Sequence, residues 1–112
     1  MEIIGNGVDI IQNSRIKKLI KNPKFLSRIF SEDEINESKK IKNKTNFFAK
    51  RFAAKEAFVK SIGIGFRKGI NFNDIYVKKN KQGKPTISFN NNVKKILKEK
   101  FKSKKFIVYV SL

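Results

Sequence analysis

The sequence predicts an α+β fold. Three observations carry that prediction. Residues 46–63 read as one helix of about five turns, with one carboxylate on an otherwise apolar flank, closed by Gly63. Ile75–Val77 and Thr86–Phe89 read as two strands on either side of a turn at 80–84. Further β-rich runs stand at 2–11 and 106–112, with shorter helices between.

Taken in order, Glu2 to Ile11 reads as a strand. Ile4, Val8 and Ile10 share one face; Ile3, Gly5, Gly7, Asp9 and Ile11 share the other. Asp9 therefore stands near a strand end on a face kept small by two glycines, where a backbone or ligand can approach closely. A helix cap or turn role for Asp9 fits equally well. Asn13 or Ser14 caps a short helix with Ile16, Leu19 and Ile20 inward and Lys17, Lys18 and Lys21 outward. Pro23 opens a further helical turn holding Phe25, Ile29 and Phe30. Ser31 and Glu34 have the spacing of a capping box, and the helix they start runs to about Lys40, acidic in its first turn and basic in its last.

Residues 41–44 form a linker, and the long helix starts near Thr45 or Asn46. The loop after Gly63 is glycine-rich and basic, yet it lacks the strand–loop–helix order of a phosphate-binding loop and reads as a connector. After the hairpin, Asn92 to Phe101 is a helix with Val93, Ile96, Leu97 and Phe101 inward. Phe106 to Leu112 is a final strand.

Composition bounds the chemistry. A chain of 112 residues makes one domain, 1–112, with a modest core to which eleven Phe contribute much of the volume. No run of about 18 apolar residues is present, so no membrane-spanning helix is expected. The N-terminus lacks the pattern of a secretion signal, which leaves the cytoplasm as the expected location. With no His and no Cys, the chain cannot build a Ser-His-Asp triad, a Cys nucleophile or a Cys/His zinc site. Any metal must be held by oxygen, which points to Mg²⁺ or a similar hard cation. Lys and Arg number 27 against 9 Asp and Glu, a formal charge of +18. That excess predicts an acidic partner and steered association. Nucleic acid is one such class. The Lys are spread along the chain among many Asn and Ile, a mixture that AT-rich coding produces without selection for binding.

Glu56 is the carboxylate that stands out. Its helical neighbours at i±3 and i±4 are Phe52, Ala53, Val59 and Lys60, three of the four apolar. A carboxylate against apolar surface is costly unless a cation or a set of donors meets it. The ordinary alternative is an ion pair with Lys60 on a solvated edge.

The run Phe48–Gly63 resembles the signature helix of the 4′-phosphopantetheinyl transferases, in their small bacterial holo-acyl-carrier-protein synthase type. Three further landmarks follow the family order: Gly7-Val8-Asp9-Ile10 with Arg15-Ile16; Phe25-Leu26-Ser27-Arg28-Ile29 with Glu34; and Gly83-Lys84-Pro85. Together they cover nearly the whole chain. The resemblance implies an antiparallel sheet packed on the long helix, and a homotrimer whose active sites lie between subunits. It implies transfer of 4′-phosphopantetheine from coenzyme A to a serine of an acidic apo-acyl carrier protein, in fatty acid biosynthesis.

The same resemblance assigns residues. Asp9 and Glu56 are the implied Mg²⁺ ligands, and Lys60, one turn beyond Glu56, faces the same pyrophosphate. A metal-bound or carboxylate-held water is the candidate base, with Glu56 the carboxylate. Lys42 is the implied contact to the 3′-phosphate of coenzyme A, and Gln82, Gly83, Lys84 and Pro85 lie beside its adenosine. Arg15, Lys21, Lys24 and Arg28, around Phe25, are the implied carrier-protein surface. Each of these Lys also reads as an ordinary solvated charge, and the turn as an ordinary hairpin loop. The family pattern continues past Leu112 with Ser-His, a turn and one more strand. Its absence is expected to leave a sheet edge open and to remove coenzyme A contacts. Two other readings stand beside the enzyme: a small basic nucleic-acid-binding domain, and an inactive relative that still binds coenzyme A or carrier protein.

Overall fold

The computed structural model describes residues 13–63, 70–101 and 108–109. The expected first strand and Asp9, the loop after Gly63 and most of the last strand lie outside them. Three short helices come first: α1 Asn13–Leu19, α2 Pro23–Ile29 and α3 Glu32–Ser38. The long helix α4 follows, Lys44–Ile62, then a 3₁₀ turn, Phe72–Asp74. Strands β1 Ile75–Lys79 and β2 Pro85–Phe89, helix α5 Asn91–Phe101 and strand β3 Val108–Tyr109 complete the elements of the described residues. The sheet is antiparallel with strand order β1-β2-β3.

Local chemistry sets the boundaries. The capping box is present: Glu34 N–H donates to Ser31 Oγ at 3.2 Å, and Ser31 N–H donates to Glu34 Oε1 at 3.0 Å. Ser31→Ala removes the first of these bonds. It should lower stability by about 1 kcal/mol, readable as a fall in Tm of several degrees. The helix ends at Ser38 rather than Lys40, so no basic residue stands in its last turn. Past Ser38 the backbone tightens into a turn: the Lys39, Lys40 and Ile41 N–H groups donate three residues back, to the Asn36, Glu37 and Ser38 carbonyls, at 3.2, 3.2 and 3.0 Å. The Lys44 ammonium braces this turn, donating to the Ser38 and Ile41 carbonyls at 3.0 and 2.9 Å. The long helix starts at Lys44, one or two residues before the expected point, because Asn43 caps it by accepting from Asn46 N–H at 3.0 Å. The first helix already includes Asn13, so neither Asn13 nor Ser14 stands outside it as a cap. Gly63 ends α4 in the left-handed region, φ 69°.

The hairpin is longer than expected by two residues on β1 and one on β2. Asn80 organises its turn, its Oδ1 accepting from Gln82 and Lys84 N–H at 2.9 Å each. Gly83 takes φ 81° there.

Two apolar clusters form, and α4 runs through both. Its first half gives Phe47, Phe48, Ala49 and Phe52 to a cluster with Ile16, Ile29 and Phe30 of the short-helix region. Its second half gives Ala54, Phe58 and Val59 to a cluster with Ile75, Val77, Ile87 and Phe89 of the sheet and Val93 and Leu97 of α5. A helix buried on several sides needs apolar residues around its circumference, which is why 46–63 shows no clean apolar stripe.

Candidate active site

One flank of α4 carries Phe52, Glu56 and Lys60 at successive turns. Phe52 is buried; its ring stacks on Phe25 of α2, centroids 6.4 Å apart, and lies 5.2 Å from Phe72. Glu56 is half-buried and Lys60 exposed. The flank therefore passes from an aromatic patch, through a carboxylate at its margin, to an exposed cation. The fit to a hard divalent cation is right in donor type, since Glu56 offers oxygen at an accessible edge. Asp9, the expected second ligand, lies outside the described residues. Among the described residues no three acidic side chains converge on one point.

The expected carrier-protein surface is brought together on the two first helices and their connection. Arg15, Lys21, Lys24 and Arg28 are all exposed. Phe25 is half-buried, held edge-on by Phe30 at 6.4 Å as well as by Phe52. Phe25 thus links this surface to the flank that bears Glu56.

The expected nucleotide contacts are not gathered beside Glu56 in the same way. Lys42 is exposed ahead of the N-terminus of α4. From Lys44 to Glu56 the helix alone rises about 18 Å at 1.5 Å per residue. Gln82, Gly83 and Lys84 are exposed at the hairpin tip, and Pro85, half-buried, opens β2. A Cβ built on Gly83 would meet nothing within 4 Å, so the outer side of this turn is open to a ligand. A cleft of about 280 Å³ lies elsewhere, between α3 and β1, lined by Asp33, Glu34, Glu37, Tyr76, Val77, Lys78 and Lys79. It contains none of the expected site residues.

Sequence reasoning missed a buried ion pair in the described core. Lys55, 0% exposed, donates to Glu34 Oε1 at 2.6 Å and to the Ile29 carbonyl at 2.7 Å. Its ammonium also lies 4.8 Å from the Phe30 ring centroid. Glu34, 1% exposed, uses Oε1 for Lys55 and the cap and Oε2 for the Val77 N–H at 3.2 Å. Burial holds the Lys55 ammonium below the usual lysine value, and the charge and hydrogen bond of Glu34 oppose that shift. Arg51, one turn earlier, sits 3.6 Å over the Phe47 ring and 3.7 Å from Glu37. Burial lowers its pKa too, against the pull of Glu37 and Glu34. A signal for Lys55 was available. Its own neighbours at i±3 and i±4 are Arg51, Phe52, Phe58 and Val59, as apolar a setting as that of Glu56.

Residues 5–110 match the family model of the 4′-phosphopantetheinyl transferase superfamily. The holo-[acyl-carrier-protein] synthase of Pelagibacter ubique is 51% identical over 112 residues, covering 100% of this chain and 88% of the relative. The crystal structure of the synthase of Neisseria meningitidis superposes with a TM-score of 0.80 at 36% identity, over 89% of this chain and 82% of that one. The synthase of Bacillus anthracis, solved in complex with coenzyme A (3′,5′-ADP), gives 0.69 at 43% identity, over 80% and 77%. With the family model matched over almost its whole length, the chain belongs to the 4′-phosphopantetheinyl transferase superfamily, among its holo-[acyl-carrier-protein] synthases.

Proposed function

We propose that this single domain, 1–112, transfers 4′-phosphopantetheine from coenzyme A to a serine of apo-acyl carrier protein, as a step of fatty acid biosynthesis. The serine oxygen attacks the phosphorus that bears pantetheine. The bond from that phosphorus to the adenosine 3′,5′-bisphosphate leaving group breaks, and the serine proton passes to a base. The observation that carries the reading is the family match over residues 5–110, which spans the half-buried Glu56 and the basic first helices alike.

Phosphoryl transfer asks a protein mainly for positioning and charge neutralisation. Glu56, with Asp9, is the proposed holder of Mg²⁺, which when bound neutralises charge on the pyrophosphate. Lys60 adds a positive charge on the same flank. Glu56 also orients a water toward the serine proton. Arg15, Lys21, Lys24 and Arg28 receive the acidic carrier, with Phe25 as the apolar centre of that surface. Lys42 and the 82–85 turn receive the nucleotide.

The distance along α4 supports the site shared between subunits that the proposed homotrimer would have. The 3′-phosphate and the pyrophosphate of coenzyme A belong to one nucleotide, whereas Lys42 lies more than three helical turns from Glu56. A neighbouring subunit that supplies its Lys42 resolves this. Mixed oligomers of Lys42→Ala and Glu56→Ala chains should then regain part of the activity that each lacks alone. No recovery in verified mixed oligomers would refute the shared site. What supports the enzyme over a nucleic-acid-binding domain is the placement of the aromatics. Each Phe whose side chain is described is buried or half-buried, so none of them offers a fully exposed stacking platform.

The direct test is to incubate the chain with apo-acyl carrier protein, coenzyme A and Mg²⁺ and read the carrier's intact mass. A gain of one phosphopantetheine group is the expected result. An unchanged carrier, with the synthase shown to be folded, would refute the reading.

A further inference from the structure

The transferase reading uses Glu56 and Lys60 and leaves the adjacent Lys55 without a role. Lys55 cannot meet a substrate, because its side chain is fully buried. The geometry points to the Glu34–Lys55 pair as a positioning device that holds Glu56 in fixed relation to the carrier-docking helix α2; the role assigned here rests on the transferase reading above.

The bonds of the pair join four elements. The Lys55 ammonium leaves α4 and meets the carbonyl of Ile29, the last residue of α2. That carbonyl is one of the acceptors a helix end leaves unpaired, at the pole that favours a cation. The same ammonium meets Glu34 of α3, and Glu34 reaches on to the backbone N–H of Val77 in β1. One buried cation therefore ties the end of the helix bearing Lys24, Phe25 and Arg28 to the residue next to Glu56.

Apolar burial is non-directional, so it sets the azimuth of such a helix less sharply than a directional bond does. The cluster around the first half of α4 is largely phenylalanine rings, which pack at several angles, from stacked to edge-on. A short, charge-assisted hydrogen bond has one geometry. Residues 55 and 56 differ by about 100° around the helix axis, so fixing the azimuth of Lys55 fixes that of Glu56. Arg51, on the same stripe one turn earlier, adds a second point of attachment to α3 through Glu37. Registry is the best-attested use of a buried ion pair. An error of about 1 Å in the alignment of reacting groups costs up to about a hundredfold in rate.

The test compares wild type with Glu34→Gln/Lys55→Met and with Val93→Ala. The double variant keeps side-chain length and a cap acceptor and leaves no unpaired buried charge. Val93→Ala loosens the sheet-side cluster, away from the pair, and serves as a control for stability alone. Each protein is checked for folding by circular dichroism and thermal melting. Coenzyme A affinity is measured by calorimetry, and kcat and KM for both substrates are measured below every melting transition. The expected result is a fall in kcat of about tenfold to a hundredfold in the double variant, with KM for coenzyme A and its calorimetric affinity within about twofold of wild type. Val93→Ala should melt earlier and keep its kcat. A double variant whose kcat stays within about twofold of wild type would overturn the positioning role. If the double variant melts below the assay temperature, Glu34→Asp, which keeps both charges and shortens one arm of the pair, is judged by the same criterion. Wild-type chain without turnover would sink the transferase reading and this role together; an active wild type beside an equally active variant sinks this role alone.

Discussion

Glu56→Gln should abolish most phosphopantetheine transfer while leaving the chain folded. The substitution keeps the length and planarity of the side chain, so the margin of the Phe52–Phe25 patch stays filled. It removes the negative charge, and a neutral amide oxygen is a poorer ligand for a hard divalent cation than a carboxylate. On the proposed role, charge stabilisation by the cation is worth several kcal/mol in the transition state. A loss of about 3 kcal/mol corresponds to about a hundredfold in kcat/KM. Glu56→Ala should lose at least as much. The effect should fall mainly on kcat, since the exposed residues proposed to meet the carrier and the nucleotide are untouched. Intact-mass time courses at saturating Mg²⁺ give the rates, and a melting curve gives the fold. If Glu56→Gln ran at the full rate with Mg²⁺ saturating, Glu56 would be neither ligand nor base, and the carboxylate at the patch margin would need another explanation.

How far the sequence could be read depended on whether the signal was local. Ser31 with Glu34, Gly63 and the Asn80–Lys84 turn each act within a few residues, and each is found where the local chemistry places it. The end of α3 and the start of α4 shifted because their determinants come from outside the helix in question. After Ser38 the Lys39, Lys40 and Ile41 N–H groups bond three residues back in a turn that Lys44 braces from the next helix, and Asn43, read as linker, is a cap. At the site, Glu56 was conspicuous by its neighbours, and helix spacing alone joined it to Lys60. No helical period relates Lys55 to Glu34 or to Ile29, which lie 21 and 26 residues away in the chain. Such a pair becomes visible only when three helices are packed. Apolar surroundings mark a charged residue as unusual, but they do not distinguish one that serves the reaction from one that holds the fold.

That distinction makes Lys55→Met the second decisive substitution. Methionine has nearly the length of the lysine stem, so little cavity is left. The cost is electrostatic. Glu34 would remain 1% exposed with its carboxylate facing the site of the lost ammonium, and the Ile29 carbonyl would lose its donor. Breaking a buried pair from one side costs about 3–5 kcal/mol. At several degrees per kcal/mol for a domain of this size, Tm should fall by roughly 15 °C or more. Glu34→Gln on the Lys55→Met background should recover part of that loss, because the unpaired buried charge is then gone. The two substitutions should therefore be non-additive by about 1–3 kcal/mol, as residues in one network are. The bond donated by the Ser31 N–H survives in the double variant, because it needs a single side-chain oxygen and the amide keeps one; the amide nitrogen then faces the Val77 N–H, so that bond is lost together with the ion pair. Urea unfolding of wild type, both single variants and the double variant closes the cycle. Additive losses would mean that the 2.6 Å contact contributes no coupling to the stability of the fold.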